Sequence, residues 1–151
     1  MTKKLKISVI TVSYNQGRFI EENILSVLNQ KYENFEHIII DACSKDNTLD
    51  ILKKYDHLIW TSEPDKGQSD GLNKGFRKAT GDVIVWLNSD DAMCDGAFEV
   101  LNKFFTENPD KHVVTGNQVF INGNSEVDHI IKAEPFTYER LLNTRYCSVM
   151  Q

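Results

Sequence analysis

From residue 7 to residue 105, short apolar runs alternate with stretches whose apolar residues recur at helical spacing. Ile7 to Val12, broken only by Ser8 and Thr11, reads as a strand, and Ser13-Tyr14-Asn15-Gln16-Gly17 as the turn after it. Phe19, Ile20, Ile24, Val27 and Leu28 then follow a helical period, with Glu21 and Glu22 in the first turn, where the helix dipole favours carboxylates. Past a polar connection from Asn29 to Asn34, Phe35 to Ile40 predicts a second strand that ends on Asp41. Ser44 to Thr48 reads as a loop and helix cap, and Ile51, Leu52 and Tyr55 as one face of a short helix. His57 to Thr61 predicts a third strand. Pro64 and Gly67 mark Glu63 to Gly67 as loop, and Gln68 to Ala79 predicts a third helix. Gly71 and Gly75 each weaken that helix by up to about 1 kcal/mol relative to alanine, so their four-residue spacing points to close approach by a backbone, a ligand or a neighbouring strand.

Val83 to Leu87, five apolar residues entered through Thr80-Gly81-Asp82, predicts a strand buried on both faces that stops at Asn88-Ser89-Asp90-Asp91. Gly96 to Phe105 predicts a fourth helix burying Phe98, Leu101, Phe104 and Phe105, ended by Asn108-Pro109-Asp110. A fifth strand is expected at His112 to Thr115. Gln118 to Ile121 and Glu126 to Ile131 read as a hairpin around Asn122-Gly123-Asn124, and Phe136 to Leu142 as a last short helix. Four strand–helix alternations predict an α/β fold. The expected architecture is a mostly parallel, doubly wound central sheet with helices on both faces and a β-hairpin near the carboxyl end. With no internal repeat and no linker, residues 1–151 read as a single domain.

Polar chemistry gathers at three strand ends: Thr11 to Asn15, Asp41 to Asp46, and Asn88 to Asp91. In one parallel sheet these ends fall along the same edge, where open α/β sheets bind ligands. Adjacent carboxylates repel unless a cation or solvent screens them, and a hard divalent metal such as Mg²⁺ or Mn²⁺ would satisfy Asn88, Asp90 and Asp91 together. Taken alone, Asn88 to Asp91 reads rather as a solvated turn capping the next helix; the convergence of three polar ends favours the metal. A formal charge of −5, with no basic cluster beyond Lys3, Lys4 and Lys6, argues against a nucleic-acid partner. Cys43, Cys94 and Cys147 lack metal-type spacing and cannot all pair, so a reducing compartment is expected. No apolar run reaches the ~18 residues of a membrane helix, and Met1 to Lys6 leads directly into a strand rather than reading as a signal peptide.

Five motifs in order resemble family 2 glycosyltransferases of the GT-A fold across roughly residues 5 to 122. They are Ile7 to Gly17, Ser26 to Gln30, Asp41 to Thr48, Glu63 to Gln68 with Asn73-Lys74-Gly75, and Trp86 to Asp91. The resemblance implies a nucleotide-diphosphate-sugar donor, a UDP-sugar by expectation. It implies donor contacts from Thr11, Val12, Ser13, Tyr14, Asp41, Asp65, Lys66, Gln68, Asn73, Asn88 and Ser89, with Asp41 accepting from a ring N–H of the base. Asp90 and Asp91 would hold the divalent metal. It further implies transfer with inversion to the hydroxyl of a saccharide or lipid-linked acceptor in polysaccharide or cell-envelope biosynthesis. The expected location is the cytoplasm or the inner face of the membrane, by peripheral association.

Three departures qualify the match. Asn88 replaces the first acid of the Asp-x-Asp pattern and lowers the expected metal affinity. Leu72 stands where many relatives carry arginine, and Ala42-Cys43 replaces an acidic or glycine pair, with Cys43 expected as a small buried filler. The acceptor-half general base is not identified. Glu126, Asp128, Glu134 and Glu139 read as surface charges, and the chain is expected to lack the carboxyl-terminal acceptor part. A nucleotide-sugar-binding module without turnover is the alternative. A dinucleotide-dependent oxidoreductase is set aside, because Tyr14 to Phe19 holds only Gly17 of the glycine fingerprint.

Overall fold

The computed structural model describes residues 4–133. They divide into two compact units, with the division between Glu107 and Asn108. In the first, β1 (Ile7–Ser13), α1 (Ile20–Leu28), β2 (Phe35–Asp41), α2 (Thr48–Leu52), β3 (Leu58–Ser62), α3 (Gln68–Lys78), β4 (Val83–Trp86) and α4 (Ala97–Glu107) alternate in chain order. The four strands form one sheet in the order β3-β2-β1-β4, every pair parallel. Ser13 lies level with Asp41, and Asp41 with Ser62, so the carboxyl ends of three strands share one edge, as the apolar pattern predicts. Leu87 donates its amide to Ile10 and extends β4 toward the same edge.

Strand periodicity decides which helices cover which face. Ile7, Val9 and Val83 point to the side packed by Val27 of α1, Tyr32 and Phe98 of α4, and Ile39 joins Ile20, Ile24, Ile51 and Leu52 in a second cluster there. The opposite side carries Ile10, against which α3 is pressed at Gly75. Helices thus lie on both faces.

The two helical glycines have the role that their spacing suggests. A Cβ on Gly71 would sit 3.0 Å from Val12 Cγ1, and one on Gly75 would run into the γ-methyl of Ile10. Ile10 is fully buried on the central strand and cannot swing aside.

At the amino-terminal end of the sheet one buried carboxylate closes the structure. Glu36 accepts from Ser8 Oγ at 2.6 Å, from the Thr80 amide at 2.7 Å, from the Thr80 hydroxyl, and from Lys6 Nζ at 2.8 Å. Burial pushes the carboxyl up, but these donors outweigh it and hold it at about 2.

Two expectations are corrected. Residues 112–115 form no strand, and Val113 is exposed: no neighbouring strand pairs with the segment among the described residues. β4 is not buried on both faces. It is the edge of the four-stranded sheet, Val83 and Leu87 are buried, and Ile84 is 49% exposed. Smaller differences are of one or two residues, except that Tyr55 lies beyond the short α2. The second unit contains the expected hairpin, β5 (Gln118–Ile121) antiparallel to β6 (Val127–Ile131), with Phe120 stacked on His129 at 4.4 Å. The helix expected at residues 136–142 lies outside the described residues. Among the described residues no helix is long and apolar enough to cross a membrane.

Two stability predictions arise here. Gly75→Ala should destabilise by about 1–2 kcal/mol in urea denaturation, because overpacking against Ile10 exceeds the ~1 kcal/mol that alanine adds to a helix. A more stable variant would show that α3 can lift from the sheet. For Glu36, a pKa lowered from 4.5 to about 2 adds stability that is fully present above pH ~4.5 and is lost as the pH falls through 2. Its size is about 2–3 kcal/mol. Glu36→Gln should therefore narrow the difference in urea midpoint between pH 7 and pH 3; an unchanged difference would place the acid sensitivity in other carboxylates.

Candidate donor-binding site

The rim at the carboxyl ends of the strands is built from side chains that hold loops rather than from loops held by regular structure. Asp41 has no exposed surface. Its Oδ1 accepts from Ser44 Oγ, and its Oδ2 accepts from the Ser44 amide at 2.9 Å and from Ser62 Oγ at 2.6 Å. Ser44 Oγ in turn accepts from the Asn15 amide at 2.8 Å, while Asn15 Oδ1 accepts from the Lys45 amide at 2.7 Å. One turn further on, Asp46 Oδ2 accepts from the Gly17 amide at 2.9 Å, and Thr48 Oγ1 accepts from the Gln16 amide at 3.0 Å. The Thr48 hydroxyl, above all, and the amides of Gly17 and Thr48 hold the Asp46 carboxyl below its usual range. The loops after β1 and β2 thus form one stitched surface.

Within that surface the predicted donor residues differ in what they expose. Thr11 is fully buried, and its Oγ1 lies 3.0 Å from His37 Nε2, so the residue belongs to the core and shows a ligand no surface in this structure. Ser13 is buried with its hydroxyl unpartnered, Val12 is half-buried, and Tyr14 stands 58% exposed. Cys43 is not a buried filler. It is half-buried in a left-handed conformation, φ 60°, which costs a residue with a Cβ about 1–2 kcal/mol. The family motif has glycine there, and that is the physical reason.

On the other side of β1, Asn88 donates Nδ2 to Asp91 Oδ2 at 2.9 Å and accepts from Gln68 Nε2 at 3.3 Å, joining the start of α3 to the end of β4. Ser89 is buried; Asp90 and Asp91 are exposed. Asp65 Oδ1 caps the amide of Gly67 at 2.9 Å, and Lys66, Gln68 and Asn73 are exposed at the start and along the length of α3. The structure therefore brings together two groups: Ser13, Tyr14 and Asp41 on the β1–β2 side, and Gln68 with Asn88 to Asp91 on the α3–β4 side.

The donor set decides what metal it can hold. Among the described residues no group of three or more His, Cys, Asp and Glu side chains is arranged around a metal position. Asp90 and Asp91 supply two carboxylates, one already accepting from Asn88. Two carboxylates suit Mg²⁺ or Mn²⁺ when phosphate oxygens complete the shell, because such ions are commonly held by one or two protein carboxylates plus substrate phosphates. The fit is to a cation shared with a diphosphate.

Sequence reasoning missed Asn23 on α1, and gave no role to Ser26 and Gln30, which lie in the Ser26 to Gln30 motif at the end of that helix. Asn23 Nδ2 donates to the carbonyls of Asn88 and Asp91, both at 2.8 Å. Ser26 Oγ accepts from the Met93 amide, and Gln30 bonds the Cys94 carbonyl and the Phe98 amide. Of the carboxylates considered for a base, Glu126 pairs with Asn122 and Asp128 with His129, both exposed in the hairpin. Glu134 and Glu139 lie outside the described residues.

Residues 8–149 match the model of glycosyl transferase family 2. TuaG of Bacillus subtilis, named for teichuronic acid biosynthesis, is 34% identical over 143 residues, which is 90% of this chain and 56% of that protein. The Escherichia coli enzyme WfgD, a UDP-Glc:α-D-GlcNAc-diphosphoundecaprenol β-1,3-glucosyltransferase by name, is 34% identical over 139 residues, or 90% of this chain and 54% of its own. The chain thus spans about half the length of these relatives. The crystal structure of Staphylococcus aureus TarS 1–349 in complex with UDP-GlcNAc superposes with a TM-score of 0.64 at 28% identity, over 69% of this chain and 32% of that one. With its parallel sheet, its rim of polar strand ends and these relatives, the chain belongs to glycosyl transferase family 2.

Proposed function

We propose that the described rim binds the nucleotide-diphosphate-sugar donor of a glycosyltransferase that passes the sugar to an acceptor hydroxyl with inversion. The observation that carries this reading is the meeting of Ser13, Asp41 and Asn88 to Asp91 along one sheet edge, between a stitched loop surface and an exposed carboxylate pair. A UDP-sugar is supported by the name of WfgD and by the UDP-GlcNAc bound to TarS, and a lipid-linked acceptor by the name of WfgD. Teichuronic acid biosynthesis in the name of TuaG supports a role in the cell envelope. Work in the cytoplasm, at the inner face of the membrane, fits such an acceptor.

In this reading the base lies beside Val12 to Tyr14, since Thr11 has no exposed surface. Asp41 spends three of the roughly four lone-pair positions of a carboxylate on Ser44 and Ser62, and a ring N–H of uracil or guanine takes the fourth. Because Asp41 is fully buried, this requires the Ala42–Ser44 turn to yield. Asp90 and Asp91 hold the cation, whose contribution is to neutralise the charge that develops on the departing diphosphate. Asn88 adds an amide where a second acid would add a charge, so protein alone holds the metal weakly. Lys66, Gln68 and Asn73 on α3 border the donor, with Asp65 setting the turn that starts the helix.

Two measurements test this. Calorimetry should show Mn²⁺ strengthening UDP binding to the parent and not to Asp90→Ala, with more than tenfold loss, since a bond to a charged group contributes about 1.5–3 kcal/mol. Equal metal dependence in the variant removes Asp90 from the site. Asp41→Asn should weaken UDP and GDP by more than tenfold while leaving CDP, already poor, unchanged. Equal losses for all three nucleotides would reduce Asp41 to a loop anchor.

A further inference from the structure

Helix α1 turns a polar stripe toward the metal-side turn. Asn23 and Ser26, at i and i+3, lie on one face of a helix whose other buried residues are Ile20, Ile24 and Val27, and Gln30 follows in the turn just past its end. Asn23 is 1% exposed. Its two amide protons are both spent, one on the Asn88 carbonyl and one on the Asp91 carbonyl, each at 2.8 Å. Two carbonyls on one side demand the NH₂ there, so the amide orientation is fixed by chemistry; Oδ1 faces the Thr11 hydroxyl at 3.5 Å. The Asp91 amide returns to the Asn88 carbonyl at 3.1 Å, so that oxygen receives both the turn's own bond and the helix's. Ser26 takes the Met93 amide at 2.9 Å, and Gln30 bridges the Cys94 carbonyl at 3.0 Å and the Phe98 amide at 3.3 Å.

We infer that Asn23 is a positioning residue for the donor's metal-diphosphate end: by clasping both ends of the Asn88–Asp91 turn from below, it sets where the Asp90 and Asp91 carboxylates stand. The inference rests on the donor reading above. Asp90 and Asp91 are exposed, so no packing fixes them from the solvent side; the clasp acts on the backbone that carries them. The base end of the site is held by other bonds, those of Ser44, Asp41 and Asn15, while Asn23 meets β1 at the Thr11 hydroxyl, in the core below that end. Removing the clasp therefore loosens one half of the donor site and spares the other.

The test compares UDP affinity with and without Mn²⁺ for the 151-residue protein and three variants. Asn23→Ala should lose at least tenfold of the Mn²⁺-dependent gain while its metal-free UDP affinity changes less than twofold, and the Asp91 amide should exchange faster with deuterium. Asn23→Ser, which keeps a single donor, should show an intermediate loss and covers the case in which the alanine variant does not fold. Gln30→Ala, which breaks the same stripe away from the turn, should lower the melting temperature yet keep the metal-dependent gain. If Asn23→Ser and Asn23→Ala keep the gain, or Gln30→Ala loses it equally, the clasp is only structural and the inference fails. If the parent shows no Mn²⁺-dependent gain at all, the donor reading fails and the clasp with it.

Discussion

A carboxylate with no exposed surface stands at the carboxyl end of β2, and the rim of the sheet is folded around it. Asp41 lies level with Ser13 on one side and Ser62 on the other. Burying such a group is costly unless its lone pairs are met, and the chain meets them from its own loops. Ser44 gives both an amide and a hydroxyl; Ser62 reaches across from β3. Because Ser44 also takes the Asn15 amide, satisfying Asp41 sets the loop after β1 as well. A single electrostatic requirement thereby orders two loops that have no regular structure.

The opposite end of the sheet obeys the same constraint with different partners. Glu36 gathers Ser8, Thr80 and Lys6, and ties the entrances of β1 and β4 to β2. Between the two ends lies His37, fully buried, its Nε2 toward Thr11 and its Nδ1 without a partner. Burial first, and the nearby His57 second, push it down to about 3, so it stays neutral at any physiological pH. An uncharged imidazole can share a sheet interior with Thr11 where a cation could not.

How much of this was legible in the sequence follows from what each signal measures. Apolar runs report burial, so Ile7–Val12 and Phe35–Ile40 locate the two central strands closely, and Gly71 with Gly75 reports the tight seat of α3. The same signal fails where burial depends on a neighbour. Ile84 looks like the core of a strand but sits on an edge, and His112 to Thr115 look like a strand but have none to pair with among the described residues. The polar strand ends could be read because ligand chemistry concentrates there. The role of Asn23, and that of Ser26 and Gln30 within their motif, could not, since a helical period is counted on apolar residues and these three are polar. Their spacing was present all along, and only the loop above α1 gives it meaning.

The seat of α3 reaches further than packing. The helix axis sits as near the sheet as two missing side chains allow, and its first residue, Gln68, is within reach of Asn88 for that reason. A methyl group added at Gly75, in the apolar interior, would tilt or raise the whole helix and carry Gln68 away from the turn it touches. Glycine at that position therefore works as a spacer gauge: the thickness of a buried layer determines the width of an opening at the surface.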